Sequence, residues 1–307
     1  MLKLTEAASG VFVIAVTPFL PNGALDLEST DRMVDFYLEI GAAGLTILGM
    51  MGEANKLTME ESQLLVRRIL ARVHNRVPVV VGVSAPGFSQ IQTLSSAVMD
   101  DGAAGVMIAP SSILRTDDQI ANYFLQASEF IGGAPFVLQD FPLSTNVQIS
   151  VSTIARIVNA LPDCVCLKHE DWPGLEKISA LRTAGLLSRR ISILCGNGGL
   201  FLPEELKRGA DGAMTGFAYP EMMVEVIRHH LLGEDERVHD LFDAYLPLAR
   251  FEQQPGMGLA VRKYVLFQRG VIAHPHQRKP GAPLSATGMA EVNHLIQRQT
   301  RRLKELN

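Results

Sequence analysis

The chain has 307 residues, of which 47% are apolar and 20% are charged, and its formal net charge at pH 7 is −4. This composition excludes an intrinsically disordered protein, because the apolar content is enough for a large core. The charge balance provides no basic surface for nucleic acid or an anionic membrane, so neither is expected as a partner.

Cysteine and histidine usage argues against a disulfide framework and against a metal site. The three cysteines form no Cys-x-x-Cys pair. His229–His230 and His274–His276 lack the spacing of metal ligands and are interpreted as surface features, so no metal and no other cofactor is expected. Glu6 interrupts the stretch where a signal peptide would have its apolar core, and the apolar runs are too short to cross a membrane. We therefore expect a cytoplasmic protein.

From the N-terminus onward, short runs rich in Val, Ile and Leu alternate with segments of helical periodicity. The runs lack polar alternation, which is typical of parallel strands that are covered on both faces. Helical faces occur at 27–40 and 62–74. The eight predicted strands are residues 11–16, 45–48, 77–83, 106–109, 136–138, 165–167, 191–195 and 213–215.

A short glycine motif recurs between the predicted helices and strands. Gly-Ala-Ala-Gly occupies 41–44 and 102–105, and Gly-Ala-Asp-Gly occupies 209–212. Glycine adopts the left-handed conformation that ends a helix, and the small residues allow a tight turn into the next strand. Together with the eight alternating strand and helix units, this repeat predicts an α/β fold of the (β/α)8 TIM barrel type. An open doubly wound sheet is the alternative, which the absence of Gly-x-Gly-x-x-Gly after the first strand disfavours.

Beyond residue 217 the pattern is helical throughout. Helices are predicted at 222–232, 234–250, 259–269 and 286–306, separated by segments rich in proline and glycine. We expect a barrel over residues 1–232 and a C-terminal helical extension over residues 233–307 that packs on it.

The sixth predicted strand contains the strongest candidate for chemistry. Period-two alternation puts Cys164, Cys166, Lys168 and Glu170 on one face. Lys168 is the only lysine inside an apolar strand run. Burial disfavours the charged ammonium and so favours the neutral amine that attacks a ketone to form a Schiff base. A lysine that ends the strand and pairs with Glu170 is an equally good interpretation of the spacing.

Two glycine-containing loops follow other strands. Gly-Met-Met-Gly-Glu at 49–53 can present backbone N–H groups to a carboxylate. Cys-Gly-Asn-Gly-Gly at 195–199, with Thr215 and Gly216, lies where barrels often bind phosphate. Glycines that permit close packing are the simpler interpretation of this second loop.

In order and spacing, these motifs resemble the dihydrodipicolinate synthase/N-acetylneuraminate lyase family, the class I pyruvate-dependent aldolases and dehydratases. The residues that carry the resemblance are Gly10, Thr17-Pro18-Phe19, 49–53, 57–61, Pro142, Lys168 and Arg278-Lys279-Pro280. The resemblance implies a barrel with a C-terminal helical extension, assembled as a homotetramer or another homo-oligomer. It also implies a Schiff base between Lys168 and a 2-oxo acid such as pyruvate. The substrate-binding residues would be Thr17, Gly49, Met50, Met51, Gly196 and Met214.

Several positions depart from the family pattern. Met50 and Met51 replace two hydroxyl residues, and Gln139 replaces the tyrosine that relays protons. Ser111 and Ser112 replace tyrosines of the synthase branch, and Ser144 replaces its arginine. An amide cannot ionise, so Gln139 can position a group but cannot act as an acid or base. Lysine-pathway synthase activity and sialic acid cleavage are therefore not expected.

The leading hypothesis is a Schiff-base lyase of a 2-oxo acid, acting by retro-aldol cleavage or by dehydration. In this hypothesis Lys168 forms the imine, Glu170 transfers protons, and Gln139 positions a water or a substrate oxygen. The two methionines hint at an aromatic or aliphatic acceptor aldehyde. The alternatives are a non-catalytic barrel that binds a small carboxylate and an enzyme that binds phosphorylated substrates through Asn197 and Thr215.

Overall fold

The computed structural model describes residues 2–172, 174–183 and 185–306. In these residues, eight parallel strands form a closed barrel in sequence order, and the first strand pairs with the eighth. The (β/α)8 prediction is confirmed. The strands are β1 (Gly10–Ile14), β2 (Gly44–Ile47), β3 (Val79–Gly82), β4 (Gly105–Ile108), β5 (Phe136–Asp140), β6 (Cys164–His169), β7 (Ser192–Cys195) and β8 (Gly212–Thr215).

Helices follow the strands and continue beyond the barrel. They are α1 (Leu27–Glu39), α2 (Met59–Val73), α3 (Phe88–Asp100), α4 (Asp117–Phe130), α5 (Pro142–Thr145), α6 (Val151–Ala160), α7 (Leu175–Thr183), α8 (Leu202–Lys207), α9 (Glu221–Leu231), α10 (Asp235–Glu252), α11 (Gly258–Gln268) and α12 (Ala286–Glu305). Short 3₁₀ turns cover Met50–Gly52, Ala54–Lys56 and Asn197–Gly199.

Side-chain caps and glycines set the limits of these helices. The Thr58 side chain accepts a hydrogen bond from the Glu61 backbone while the Glu61 carboxylate accepts one from the Thr58 backbone, which is a complete capping box for α2. After α1, α3 and α8 the repeated motif begins with Gly41, Gly102 and Gly209, whose φ values are +84°, +105° and +93°. This is the left-handed conformation that the repeat predicts.

The strands separate two apolar layers. Side chains that point out of the barrel pack against the helices, which explains why the strand runs do not alternate with polar residues. The side chains inside the barrel form a smaller cluster, which we call the inner cluster. It comprises Leu4, Phe12, Ile14, Val80, Ala104, Met107, Val137, Val165, Cys166, Leu194 and Met214.

Strand β6 departs from strict alternation at its start. The β5–β6 register shifts between Phe136, which pairs with Cys164, and Val137, which pairs with Cys166. Such a bulge moves one residue across the strand, so Cys164 packs in the outer layer while Cys166 stays in the inner cluster. The prediction that Cys164 shares a face with Cys166 and Lys168 is therefore wrong.

The C-terminal helices return to the mouth of the barrel. The expected boundary at residues 232 and 233 falls between α9 and α10, and α10 packs against α9 and α12. The Arg262 and Lys263 side chains of α11 bond to groups at the ends of the strands, as described below. In the described ranges, no helix is long and apolar enough to cross a membrane.

Candidate active site

Three polar side chains meet inside the barrel where β5 and β6 end. Lys168 Nζ lies 2.9 Å from Glu170 Oε2, and Gln139 Nε2 donates a hydrogen bond of 2.7 Å to the same oxygen. All three side chains are buried. Because an ionised carboxylate only accepts hydrogen bonds, one oxygen holds both the amine and the amide. This cluster lies at the carboxyl ends of the strands, where barrel enzymes perform chemistry.

The main chain around Glu170 is fixed from both neighbouring strands. The Glu170 N–H donates to the Asp140 carbonyl at 2.9 Å. On the other side, Asn197 Nδ2 donates to the Glu170 carbonyl at 2.9 Å, and Gly196 N–H donates to the His169 carbonyl at 2.8 Å. These bonds extend the sheet by one residue and hold the carboxylate beside the lysine.

Gly196 contributes space rather than a functional group. A Cβ at this position would lie 2.1 Å from Glu170 Cγ and 2.5 Å from its Oε1, far inside contact distance. Only glycine therefore leaves room for the Glu170 side chain as it stands.

The loop after β2 forms a tight turn above the inner cluster. Leu48 and Glu53, at φ +54° and +55°, are left-handed residues on either side of the 3₁₀ turn at Met50–Gly52. The Thr17 hydroxyl donates a 2.6 Å hydrogen bond to the Gly52 carbonyl and so ties this turn to the end of β1. Met51 packs against the inner cluster, whereas Met50 is exposed.

A buried ion pair anchors the far end of this loop. Lys263 Nζ of α11 lies 2.5 Å from Glu53 Oε1, and Lys56 Nζ lies 2.8 Å from Glu53 Oε2. The Arg278 N–H donates to Glu53 Oε2 at 3.0 Å. Burial lowers the pKa of Lys263 to about 8, and the attraction of Glu53 opposes this shift. Sequence analysis missed Lys263, although a basic residue in the apolar run of α11 is a usable signal.

The loops after β7 and β8 are packed by their glycines. A Cβ at Gly198 would meet Gln253 Nε2 at 2.2 Å, and one at Gly216 would meet Arg262 Nη1 at 2.0 Å. Thr215 Oγ1 accepts a 2.8 Å hydrogen bond from the Gly198 N–H. The close-packing interpretation accounts for these contacts, and Thr215 and Gly198 bond to each other. Met214 is buried in the inner cluster.

Behind the strand ends lies a buried charged cluster on the outer side of the barrel. Asp140 Oδ2 lies 2.8 Å from Lys177 Nζ of α7, whose amine also lies 2.6 Å from Asp171. Burial raises the pKa of Asp140 to about 6 despite Lys177. Burial also lowers the pKa of His169 to about 4, so its neutral ring donates from Nε2 to the Gly174 carbonyl at 3.0 Å. The Asp140 carboxylate is thus bonded to a helix, α7.

The remaining candidate residues contribute no further site. His229 is buried and bonds to Arg228 and Glu234, so its interpretation as a surface residue is wrong. In the part of the chain that the structure describes, no group of three or more His, Cys, Asp or Glu is placed to hold a metal ion. A cavity of about 430 Å³ opens at the amino ends of the strands, between Leu2, Val77 and Ala104. It lies at the face of the barrel opposite to Lys168, whereas the active sites of this fold lie at the carboxyl ends of the strands.

Known proteins match this chain over its full fold. A model described as the dihydrodipicolinate synthetase family matches residues 7–299. L-2-keto-3-deoxyarabonate dehydratase from Azospirillum brasilense is 29% identical, over 96% of this chain and 95% of its own. 4-Hydroxy-tetrahydrodipicolinate synthase from Sorangium cellulosum is 31% identical, over 74% of this chain and 75% of its own.

The solved structures give the same relationship. The crystal structure of dihydrodipicolinate synthase from Rhodopseudomonas palustris is 52% identical, with a TM-score of 0.95 over 97% of this chain and 100% of that chain. The family match includes β1 to β8 and most of the C-terminal helices. The barrel, the lysine at the end of β6 and these matches together identify the chain as a member of the dihydrodipicolinate synthetase family and as an enzyme of the lyase class.

Proposed function

We propose that the protein is a class I lyase that forms a Schiff base between Lys168 and a 2-oxo acid. One observation carries this proposal: the buried Lys168 amine lies 2.9 Å from a carboxylate oxygen that can take its proton. A lysine must be neutral to attack a carbonyl carbon, and a base within hydrogen-bond reach supplies that form.

The first half of the reaction assigns a step to each member of the cluster. Glu170 Oε2 accepts a proton from Lys168, and the neutral amine adds to the ketone carbon of the substrate. The resulting carbinolamine loses its hydroxyl as water, with the proton that Glu170 returns. Gln139 keeps Oε2 directed at the amine through its 2.7 Å hydrogen bond and takes no proton itself.

The second half is either carbon–carbon cleavage or dehydration, and both pass through the same enamine. For cleavage, the Glu170 carboxylate takes the proton of the substrate's 4-hydroxyl, the C3–C4 bond breaks and an aldehyde leaves. The electron pair of that bond forms the enamine, which is then protonated at C3 and hydrolysed by water to pyruvate and free lysine. For dehydration, the Glu170 carboxylate takes the C3 proton to give the enamine and then donates that proton to the 4-hydroxyl, which leaves as water.

The turn after β2 supplies a site for the substrate carboxylate in this proposal. The N–H groups of Met50 and Met51 open a 3₁₀ turn, and the first N–H groups of such a turn have no partner within it. The other binding residues shape the site. Its backbone conformation depends on Thr17, Gly49 and Gly196, and Met214 forms part of its wall. This arrangement relies on backbone donors, since thioethers are at most weak acceptors.

We further propose that the physiological reaction is not synthesis of 4-hydroxy-tetrahydrodipicolinate, despite the name of the Rhodopseudomonas palustris structure. Gln139 cannot relay a proton, and the Ser144 hydroxyl bonds to the Met50 sulfur at 2.9 Å and carries no charge for a second carboxylate. Enzyme assayed with pyruvate and aspartate semialdehyde should therefore consume both at a rate close to the uncatalysed background. Rapid consumption would overturn this part of the proposal.

The experiment for the Schiff base is borohydride reduction with pyruvate, followed by intact mass and peptide mapping. We expect one reduced adduct, on Lys168, in the wild type and none in Lys168→Ala. Lys177→Ala serves as the matched control, because the Lys177 side chain is also ion-paired and only 9% exposed but lies outside the barrel. An adduct on another lysine, or none with any of a panel of 2-oxo acids, would overturn the proposal.

A non-catalytic barrel that binds a small carboxylate is the second candidate, and the Lys168–Glu170 ion pair is the observation that favours it. A lysine held as an ammonium by its carboxylate is also what a binding site would need. Thermal stabilisation by pyruvate without any reducible adduct would select this candidate.

For assembly and compartment we propose a homo-oligomer, a tetramer or dimer, in the cytoplasm. The three cysteines are free and buried, as is usual in a reducing compartment. Light scattering on the purified protein measures the assembly, and a monomer at micromolar concentration would contradict it.

A further inference from the structure

Large apolar side chains surround the mouth of the barrel. Most of the segments that follow the strands expose one, as does the connection between α10 and α11. These residues, which we call the apolar rim, are Met50, Ile113, Leu143, Trp172, Phe201 and Met257. Scattered exposed apolar residues are ordinary, but their concentration at one face indicates a binding function.

The apolar rim continues into the barrel. Met51 packs against the inner cluster, and a Cβ at Gly49 would lie 3.8 Å from both Ile14 and Met107 of that cluster. On the side of β1 and β4 the wall between Lys168 and the mouth is therefore apolar, and on β2 the buried Thr46 hydroxyl adds one polar group.

Two side-chain contacts join residues of the apolar rim to neighbouring loops. Trp172 and Phe201 pack edge to face with ring centroids 5.7 Å apart, joining the loops after β6 and β7. The Met50 sulfur contacts the Ser144 hydroxyl, next to Leu143, which joins the loops after β2 and β5. These two contacts join four of the loops that follow the strands, those after β2, β5, β6 and β7.

Little positive charge accompanies this apolar surface in the described loops after the strands. These loops contain two basic residues, Lys56 and Arg115. Lys56 is paired with Glu53, and Arg115 Nη1 donates to the carbonyls of Ser112 and Leu114. Arg262, which reaches the end of β8 from α11, is paired with Glu252. Arg115 thus keeps its charge without a carboxylate partner, and it is the one cation that these described loops offer to a second carboxylate or a phosphate on the substrate.

We propose that the substrate carries an uncharged, mainly apolar group on C4, so that retro-aldol cleavage releases pyruvate and an aromatic or aliphatic aldehyde. This inference rests on the proposed Schiff-base function and names its substrate class. Ser111, Ser112 and Ser144 add neutral hydroxyls to the mouth, which can bond to one polar atom of such a group. Cleavage follows the balanced step given above, with the apolar aldehyde leaving toward the rim.

The test compares three 4-hydroxy-2-oxo acids that differ only beyond C4. They are 4-hydroxy-2-oxo-4-phenylbutanoate, a 3-deoxy-2-oxopentonate with a neutral polyol end, and 4-hydroxy-2-oxoglutarate with a carboxylate end. A coupled lactate dehydrogenase assay measures pyruvate, and ultraviolet absorbance measures the conjugated dehydration product. Burying a phenyl group rather than a polar end is worth about 2 kcal/mol, so we expect kcat/KM to favour the phenyl compound about 30-fold. A preference for the polyol or the carboxylate compound would overturn the inference.

Variants locate the preference in the rim. Met51→Thr should lower the ratio of phenyl to polyol kcat/KM about tenfold, a ratio that a loss common to both substrates does not change. Leu232→Thr, an exposed apolar residue at the end of α9 on the opposite face, should leave the ratio unchanged. Equal loss on all substrates in Met51→Thr would contradict a role in specificity.

Two further outcomes distinguish this inference from the proposed function and from an interface between copies of the chain. Absence of the pyruvate adduct in the wild type refutes the proposed function itself, whereas an adduct without phenyl preference refutes only the substrate class. If Trp172→Ser and Phe201→Ser change the molecular mass by light scattering but not the substrate ratio, the rim is an interface between copies of the chain. That result would overturn the inference.

Discussion

Gly196 and Glu170 occupy complementary space: a Cβ on Gly196 would lie 2.1 Å from Glu170 Cγ. The φ of this glycine is −106°, and the close approach of the Glu170 carboxylate is what leaves no room for a Cβ there. This contact ties the end of β7 to the proton-transfer group that we propose on β6.

Gly196→Ala should displace the Glu170 carboxylate from Lys168. Because the amine then loses its base, we expect kcat to fall at least about tenfold, with a slower borohydride trapping rate. Gly87→Ala is the matched control, since no atom lies within 4 Å of its Cβ position and it also lies in a loop after a strand. Unchanged trapping in Gly196→Ala would show that Glu170 is not the base.

Gln139 should act by positioning and not by proton transfer. Gln139→Leu removes the 2.7 Å hydrogen bond to Glu170 Oε2, and losing a bond to a charged group lowers kcat about tenfold. Gln139→Glu instead places two carboxyl groups together, which raises the pKa of one of them and moves the activity profile to higher pH. Gln299→Leu, which removes another buried amide on α12, controls for general destabilisation. If Gln139→Glu leaves the pH profile unchanged, Gln139 does not act through Glu170.

The barrel and its reactive lysine could be predicted because both depend on local patterns. Buried parallel strands give uninterrupted apolar runs, and a lysine inside one of them, Lys168, stands out against a background of Val, Ile and Leu. The placement of Lys168, Glu170 and Gln139 in one buried cluster follows from strand periodicity and from the pairing of β5 with β6.

Features that depend on distant partners or on one-residue irregularities could not be predicted. The bulge that turns Cys164 outward leaves no trace in composition, since both faces of β6 are apolar there. Asp140 is paired with Lys177, 37 residues away, and Glu53 with Lys263, 210 residues away. No periodicity connects such positions, and only the closed barrel brings them together.

The Glu53–Lys263 pair should contribute to stability and to the geometry of the turn after β2. Lys263→Met leaves the Glu53 carboxylate buried with one partner fewer, which costs about 3–5 kcal/mol of unfolding free energy. KM for the 2-oxo acid should also rise, because the Met50–Gly52 turn loses its anchor. Urea unfolding of Glu53→Gln, Lys263→Met and the double variant measures the coupling.

The exposed Arg302–Glu305 pair is the control for that cycle, and Arg302→Met should have little effect on unfolding. Effects of Glu53→Gln and Lys263→Met that simply add would mean that the two side chains do not interact energetically.

Glu205 should make the protein less stable as pH rises. It is buried on α8 with Oε2 unpartnered, and burial raises its pKa from 4.5 to about 7. Between these values the folded state binds more protons than the unfolded state, so unfolding free energy falls as pH increases through this window. The Glu205 carboxyl also forms a hydrogen bond with the Cys195 thiol, and Glu205→Gln keeps an oxygen for that bond while it removes the titration. Between pH 5 and pH 8, the unfolding free energy of the variant should therefore rise by about 2 kcal/mol relative to that of the wild type. Urea unfolding at both pH values measures this difference, with Glu204→Gln on the same helix as the control. A difference that does not change with pH would mean that Glu205 remains ionised in the folded protein.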